Sequence, residues 1–439
     1  MVYVSFSKNF LKLNVYIQRD LLKLTIKVKK KTILKTNSMA KIVESLKKLS
    51  VEHRTHKHDD NRVIKRKSEL ISSMEKAVSS DHNYILAVCG TQSDPEFRIC
   101  TAFSDYTCVI YSVGESFNQT ATLTHNQAPI VGIKFSPTSK NILYTATNNG
   151  EITACDLRAK GKVVAKFKDN TEDGKTKPLC SFDVSCDEKL VAGGTEHIAG
   201  DAFILFWDAR HSSSKLDDRN NLLGGYWESH MEDVVSLAFH SSKQDVLASG
   251  STDGLINVFD LTQPSEDSAL TSSLNTESSV DRIGWLSDDN LWCTTHNSLQ
   301  LWDYDEVTPY AKFNRSNIAI FQNDDPDDCY IVKFHASNVF EQPFLLAGFS
   351  SVKGENLRCL NVVNNRLETY YNMIGNKQIV RDSWLHEKSG SLVTVGEGGL
   401  INIWRPSETV PIQKNSSHKL VAKIGTSKVR DHQHRTKPY

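Results

Sequence analysis

Short apolar runs that close on an aromatic and a polar residue recur along this chain. They read Ala202-Phe203-Ile204-Leu205-Phe206-Trp207-Asp208, Leu255-Ile256-Asn257-Val258-Phe259-Asp260, Ser298-Leu299-Gln300-Leu301-Trp302-Asp303 and Leu400-Ile401-Asn402-Ile403-Trp404-Arg405. Their spacing of about 40–60 residues is the period of a β-propeller blade. Ahead of them lie shorter alternating runs, joined by turns such as Asn148-Asn149-Gly150 and Thr252-Asp253-Gly254, the chemistry of tight hairpins. The pattern predicts an all-β, seven-bladed propeller over residues 61–406, with blades ending near residues 112, 156, 208, 260, 303, 362 and 405. In blade four the strands are Val234–His240, Val246–Ser251 and Leu255–Asp260; in blade six they are Cys329–His335, Pro343–Phe349 and Asn356–Val362. Outer fourth strands follow as Gln119–Leu123, Val163–Phe167, Leu222–Trp227, Ala269–Leu274, Tyr310–Phe313 and Arg366–Tyr371. Blade seven still needs one, because an unpaired outer strand at the ring junction leaves an exposed edge. Either Val63–Ile71 or the segment after Pro406 is expected to supply it.

Charge changes the picture at the two ends. The 439 residues have a formal net charge of zero, yet residues 79–405 hold 26 Lys and Arg against 43 Asp and Glu, a net −17 that the remaining residues balance. Residues 1–60 read as a disordered basic extension and residues 407–439, with Lys419, Lys423, Lys428, Arg430 and Arg435, as a basic tail, so the propeller carries flexible basic arms. Met39 opens a second plausible start. Phosphate binding requires cations on the binding face, so the acidic body is a poor nucleic-acid platform. It suits a basic protein partner, or the chain's own arms. No apolar run approaches about 18 residues, so no transmembrane helix is expected, and residues 1–38 lack the order of a secretory signal. The nine cysteines include no Cys-x-x-Cys pair, which fits the reduced thiols of a cytoplasmic or nuclear protein. His53, His56 and His58 stand beside cations that oppose metal binding.

Four stretches carry a resemblance. Gly193-Gly194-Thr195-Glu196, Phe206-Trp207-Asp208-Ala209-Arg210, the run from Ser249 to Asp260, and Ile283-Gly284-Trp285 resemble the WD-repeat family, over roughly Tyr84 to Pro406. The resemblance implies a network in each blade that links a His before the first strand, a Ser or Thr in the second, an Asp in the turn and a Trp in the third. No blade has the full set. His230, Ser249 or Ser251, and Asp253 meet Phe259 where Trp would stand; Trp207 lacks its His; His125 meets Cys155 at the Trp position. A partly filled network weakens the blade, and these residues resemble a hydrolase triad in composition alone.

Enzyme motifs fail on specific residues. Gly174-Lys175-Thr176 begins like a phosphate loop, but Asp169 stands where its first glycine is required, and that charge repels phosphate. Gly348-Phe349-Ser350-Ser351-Val352 has valine in place of the glycine of a nucleophile elbow. Gly396-Glu397-Gly398-Gly399 joins two expected strands rather than opening a helix. Asp324-Asp325-Pro326-Asp327-Asp328 lacks the spaced ligands and closing Glu of a calcium loop. The reading is therefore a protein without enzymatic activity, cofactor, metal or small-molecule substrate.

Two surfaces remain as candidates. Propellers place the loops before first strands, and those between second and third strands, on one face, and loops on a rigid scaffold carry specificity. The insertions there are acidic: Glu172, Asp173, Glu196, Asp201, Asp324, Asp325, Asp327, Asp328 and Glu355. The first expectation is a scaffold that docks a basic protein, of histone or ribosomal-protein type, on this face. On the opposite face two consecutive blades end in Asp-x-Arg, as Asp156-Leu157-Arg158 and Asp208-Ala209-Arg210. These resemble the paired motif of WD-repeat substrate receptors, and imply docking on the adaptor of a cullin-RING ubiquitin ligase. A fixed guanidinium offers such a partner a planar fork. A local Asp–Arg pair that stabilises the blade end is the alternative.

Overall fold

The computed structural model describes residues 68–78, 83–169, 176–210, 222–319, 325–337, 339–340, 342–351 and 354–405. The extension at 1–60 and the tail at 407–439 lie outside the described residues. Within them the chain is an all-β propeller, interrupted by two single-turn helices, α1 (Glu266–Ala269) and α2 (Arg315–Ile318), and two short 3-10 turns.

Five antiparallel sheets have four strands each, paired in chain order. The first holds β2 (Ile85–Gly90), β3 (Phe97–Phe103), β4 (Cys108–Val113) and β5 (Phe117–Leu123). The second holds β6 (Ile130–Phe135), β7 (Ile142–Thr147), β8 (Glu151–Asp156) and β9 (Lys162–Lys168). In the third are β10 (Leu179–Val184), β11 (Leu190–Thr195), β12 (Ala202–Asp208) and β13 (Leu222–His230). The fourth comprises β14 (Ser236–Phe239), β15 (Val246–Gly250), β16 (Leu255–Asp260) and β17 (Leu270–Asn275). The fifth comprises β18 (Val280–Trp285), β19 (Asn290–Thr295), β20 (Ser298–Asp303) and β21 (Ala311–Asn314). These strands lie within a few residues of those read from alternation.

The rest of the ring departs from the expected seven separate blades. β22 (Cys329–His335), β23 (Phe344–Ser351), β24 (Gly354–Val363), β25 (Arg366–Ile374), β26 (Val380–His386), β27 (Ser391–Gly396) and β28 (Leu400–Trp404) join β1 (Ser68–Ala77) in one eight-stranded sheet. The reason is β1. Its first residues pair parallel with β25, from Ser68 on Tyr371 to Ile71 on Ile374. Its remainder pairs antiparallel with β28, from Ser72 on Trp404 to Ala77 on Leu400. The stretches expected as blades six and seven are thereby fused. The closing strand also sits later than Val63–Ile71, and residues 63–67 lie outside the described residues.

Apolar side chains fill the seams between neighbouring sheets. Ile110 and Leu123 of the first sheet meet Phe135 and Leu143 of the second, while Ile85 and Phe97 meet Val393 and Ile401 across the ring junction. First strands succeed one another around the centre, with β2 against both β6 and β26. Two buried carboxylates bolt these strands together. Asp183 pairs with Lys134 and accepts from the Phe239 N–H at 2.8 Å. Asp382 accepts from Arg282 at 2.8 Å, Lys333 at 3.3 Å and the Val88 N–H at 3.0 Å. It thus ties β18, β22, β26 and β2. Burial alone would raise the Asp382 pKa, but the charges of Lys333 and Arg282 and the Val88 N–H hold its carboxyl far below the usual range. Burial, with Lys333 beside it, pushes His335 down to about 3, so its Nε2 bonds Ser383 at 2.8 Å as a neutral ring.

Candidate protein-interaction surface

The WD-type networks are assembled as far as the residues allow. His230 bonds Asp253 at 3.0 Å and Ser249 at 2.7 Å, with Phe259 buried where the third strand would offer a Trp. His125 bonds Thr153 at 3.2 Å and lies 3.5 Å from Cys155 Sγ. Trp207 instead donates to the Lys168 carbonyl at 3.1 Å, whereas Trp404 reaches Thr394 at 2.9 Å. Burial opposes ionisation of Asp253, but the bonds from His230 and from the Leu255 and Met231 N–H groups bring its carboxyl below the usual value. Ser249 is buried behind His230, so this Ser-His-Asp group meets no solvent-borne substrate.

The acidic face is composed differently from the sequence expectation. Glu196 is half-buried and accepts from the Asn148 side chain at 2.5 Å; Asp201 is exposed on the same loop. Asp325 accepts from the Asp327 N–H at 3.0 Å, and Asp325, Asp327 and Asp328 are all exposed. Glu355 is held by Ser350 at 2.7 Å. Glu172, Asp173 and Asp324 lie outside the described residues. No described hydrogen bond or ion pair joins the Glu196 loop to the Asp325 turn.

Around Glu196 the structure gathers further acids, from junctions without insertions. The His197 N–H donates to the Asp233 carboxylate at 2.7 Å, and the Thr252 N–H to the Asp233 carbonyl at 3.0 Å. Ser279 then bonds the Thr252 carbonyl at 2.8 Å, next to exposed Asp281. Glu196, Asp201, Glu232, Asp233 and Asp281 therefore form an arc over sheets three to five. Its field is felt underneath: burial, then the Asp233 and Glu196 charges, push the Cys180 thiol up to about 12. Among the described residues, Asp201, Glu232 and Asp233 have no ion-pair partner, whereas Lys312 is paired with Glu277, Lys177 with Asp169 and Arg282 with Asp382. The signal for Glu232 and Asp233 was their place between His230 and β14. That short junction carries no insertion to mark it.

On the opposite face the two Asp-x-Arg motifs form matching clasps. Arg158 grips Asp156 through Nε at 3.1 Å and Nη2 at 2.7 Å, with its own N–H on the same carboxylate at 2.9 Å. Arg210 grips Asp208 at 2.9, 2.7 and 2.9 Å. The side-chain and backbone bonds from Arg158 hold the Asp156 pKa below its usual value. Each clasp leaves its guanidinium largely exposed, with one edge spent on its own aspartate.

Radially arranged antiparallel sheets, with this His–Ser–Asp and Trp–Thr bonding inside them, make an all-β propeller, and the chain is similar to WD-repeat propeller proteins. Residues 131–333 match the β-propeller family described as "Nucleolar protein 10-like, N-terminal domain". The chain is 27% identical over 215 residues to the WD repeat-containing protein GTS1 of Arabidopsis thaliana, covering 47% of this chain and 50% of that protein. It is 26% identical over 322 residues to an uncharacterised WD repeat-containing protein of Saccharomyces cerevisiae, covering 62% and 78%. It is also 37% identical over 78 residues to the WD repeat-containing protein 89 homolog of Dictyostelium discoideum, covering 17% and 22%. The matched region thus spans half of the Arabidopsis protein. Among the described residues, no helix is long and apolar enough to cross a membrane, and no cluster of His, Cys, Asp or Glu is arranged to hold a metal ion.

Proposed function

We propose that this protein is a non-enzymatic scaffold whose acidic loop face docks a basic segment of another protein. The observation that carries the reading is the arc of Glu196, Asp201, Glu232, Asp233 and Asp281, in which Asp201, Glu232 and Asp233 have no ion-pair partner among the described residues. In the sequence, Glu172, Asp173 and Asp324, which lie outside the described residues, and Asp325, Asp327 and Asp328 fall in loops expected on the same face. We read the eight-stranded sheet as two blades bridged by β1, which makes a seven-bladed ring. A nuclear location suits a histone or ribosomal-protein type of partner and is supported by the nucleolar name of the matching family; the cytoplasm is the other compartment that suits reduced thiols. The test is a triple variant, Asp201→Asn, Glu232→Gln and Asp233→Asn, titrated with a lysine-rich peptide or core histones. Three rim charges together are expected to weaken binding about tenfold at low salt and to flatten its salt dependence. Binding that is indifferent to both salt and these substitutions would sink the proposal.

A second reading is a substrate receptor that meets a ubiquitin-ligase adaptor through Asp156, Arg158, Asp208 and Arg210. The matching geometry of the two clasps on adjacent sheets favours it. An Arg158→Ala, Arg210→Ala double variant is expected to keep its melting temperature, because exposed ion pairs contribute little, while losing the adaptor in a pull-down. Retained adaptor would leave the clasps as local struts.

A further inference from the structure

We propose that the pocket formed by Asp169, Phe203 and Trp227, filled here by the chain's own Lys177, is the anchor for a lysine or arginine side chain of the partner's basic segment. This rests on the acidic-face reading and names its central contact. Asp169, at the end of β9, is 2% exposed, and its carboxylate takes the Lys177 ammonium at 2.5 Å. The same ammonium lies 5.6 Å from the Phe203 ring and 5.7 Å from the Trp227 ring. Those two rings meet edge to face, 5.1 Å apart. A cation in this position is therefore held by a desolvated carboxylate and by two aromatic rings, an environment that favours ammonium and guanidinium groups.

The occupant comes from a loop rather than from the sheets that build the pocket. Lys177 lies between β9 and β10, where Thr176 is pinned to the Asn149 carbonyl at 2.7 Å and the Leu179 N–H bonds the Asn148 carbonyl at 3.2 Å. Asn148 is also the residue that holds Glu196, so pocket and arc share one loop. Trp227 keeps 41% of its surface in solvent and Met231, four residues on, is exposed as well, which leaves an approach for an incoming chain. Exchange of one cation for another keeps Asp169 paired throughout. Flanking cations on the partner gain the arc carboxylates, while the released Lys177 returns to water. In the free protein Lys177 thus acts as a built-in competitor.

The test uses the full chain, a fluorescein-labelled deca-lysine peptide and fluorescence anisotropy. Removing the competitor with Lys177→Ala is expected to tighten peptide binding about fivefold, and removing one wall with Trp227→Ala to weaken it by a similar factor. Weaker or unchanged binding by a folded Lys177→Ala protein overturns the proposal. Should that variant fail to fold, Trp227→Ala decides alone, and unchanged affinity overturns it. If the arc triple variant weakens binding while both pocket variants leave it unchanged, the anchor is wrong and the acidic face stands. If no variant changes binding, both fall.

Discussion

Asp382→Asn is expected to destabilise the propeller by about 3 kcal/mol, seen as a lower urea midpoint with an unchanged slope. One carboxylate here serves three donors from three other strands: Arg282 on β18, Lys333 on β22 and the Val88 N–H on β2. Asparagine can still accept from Val88, but the two cations lose their counter-charge. Removal of one member of a buried ion pair costs about 3–5 kcal/mol. The lower end applies because Arg282 and Lys333 each keep about a third of the side chain in solvent. The pH dependence follows from the depressed pKa of Asp382. A carboxyl of lowered folded pKa stabilises fully above its unfolded value of about 3.9, and that contribution is lost as pH falls through the folded value. The gap between wild type and variant is therefore expected to be constant from neutral pH to about 5 and to narrow below about 4. A gap that closes already near pH 6 would point to a histidine instead of Asp382.

Leu70→Asp is expected to be the more damaging change, because it strikes the strand that closes the ring. Leu70 is 1% exposed and packs with Met373, Val380, Leu392 and Trp404. It stands where β1 runs beside β25, just before the strand passes over to β28. Truncation to alanine removes a buried leucine, for about 2–5 kcal/mol. Aspartate adds an unpaired buried charge and is expected to release β1 altogether. Released, β25 and β28 present unpaired edges, and such edges recruit other chains. The readouts are loss of the cooperative thermal transition and a shift to large species in size-exclusion chromatography. A monomeric Leu70→Asp protein with wild-type melting would show that β1 does not close the ring.

The strands were legible because each owes its position to its own alternation and to a nearby turn. Leu255–Asp260 needs only Thr252-Asp253-Gly254 and β15 to be placed. β1 had no such local signature. It pairs with strands some 300 residues away in sequence, and its parallel contact depends on β25 running on to Ile374. The WD-type networks were readable at His230, Ser249, Asp253 and Phe259, because family spacing fixes those positions. The Lys177 pocket was not, since Asp169, Lys177, Phe203 and Trp227 come from four segments that only folding brings together. Asp382 was equally silent, as an ordinary acid in a strand whose partners belong to other sheets.

The pairing of β1 with β28 also shows what the other sheets obtain from a hairpin. In the five separate sheets the third strand is followed directly by the fourth; β16 turns into β17 so that Phe259 faces Leu270. β28 and β1 repeat that hairpin in space, Trp404 facing Ser72, although they lie at opposite ends of the described chain. A short link from Arg405 to Ser68 would restore the same covalent order as in every other sheet, and the chain could then be opened at another surface turn. The sheet that holds β1 and β28 is thus completed by pairing between segments far apart in sequence, where the other sheets rely on consecutive strands.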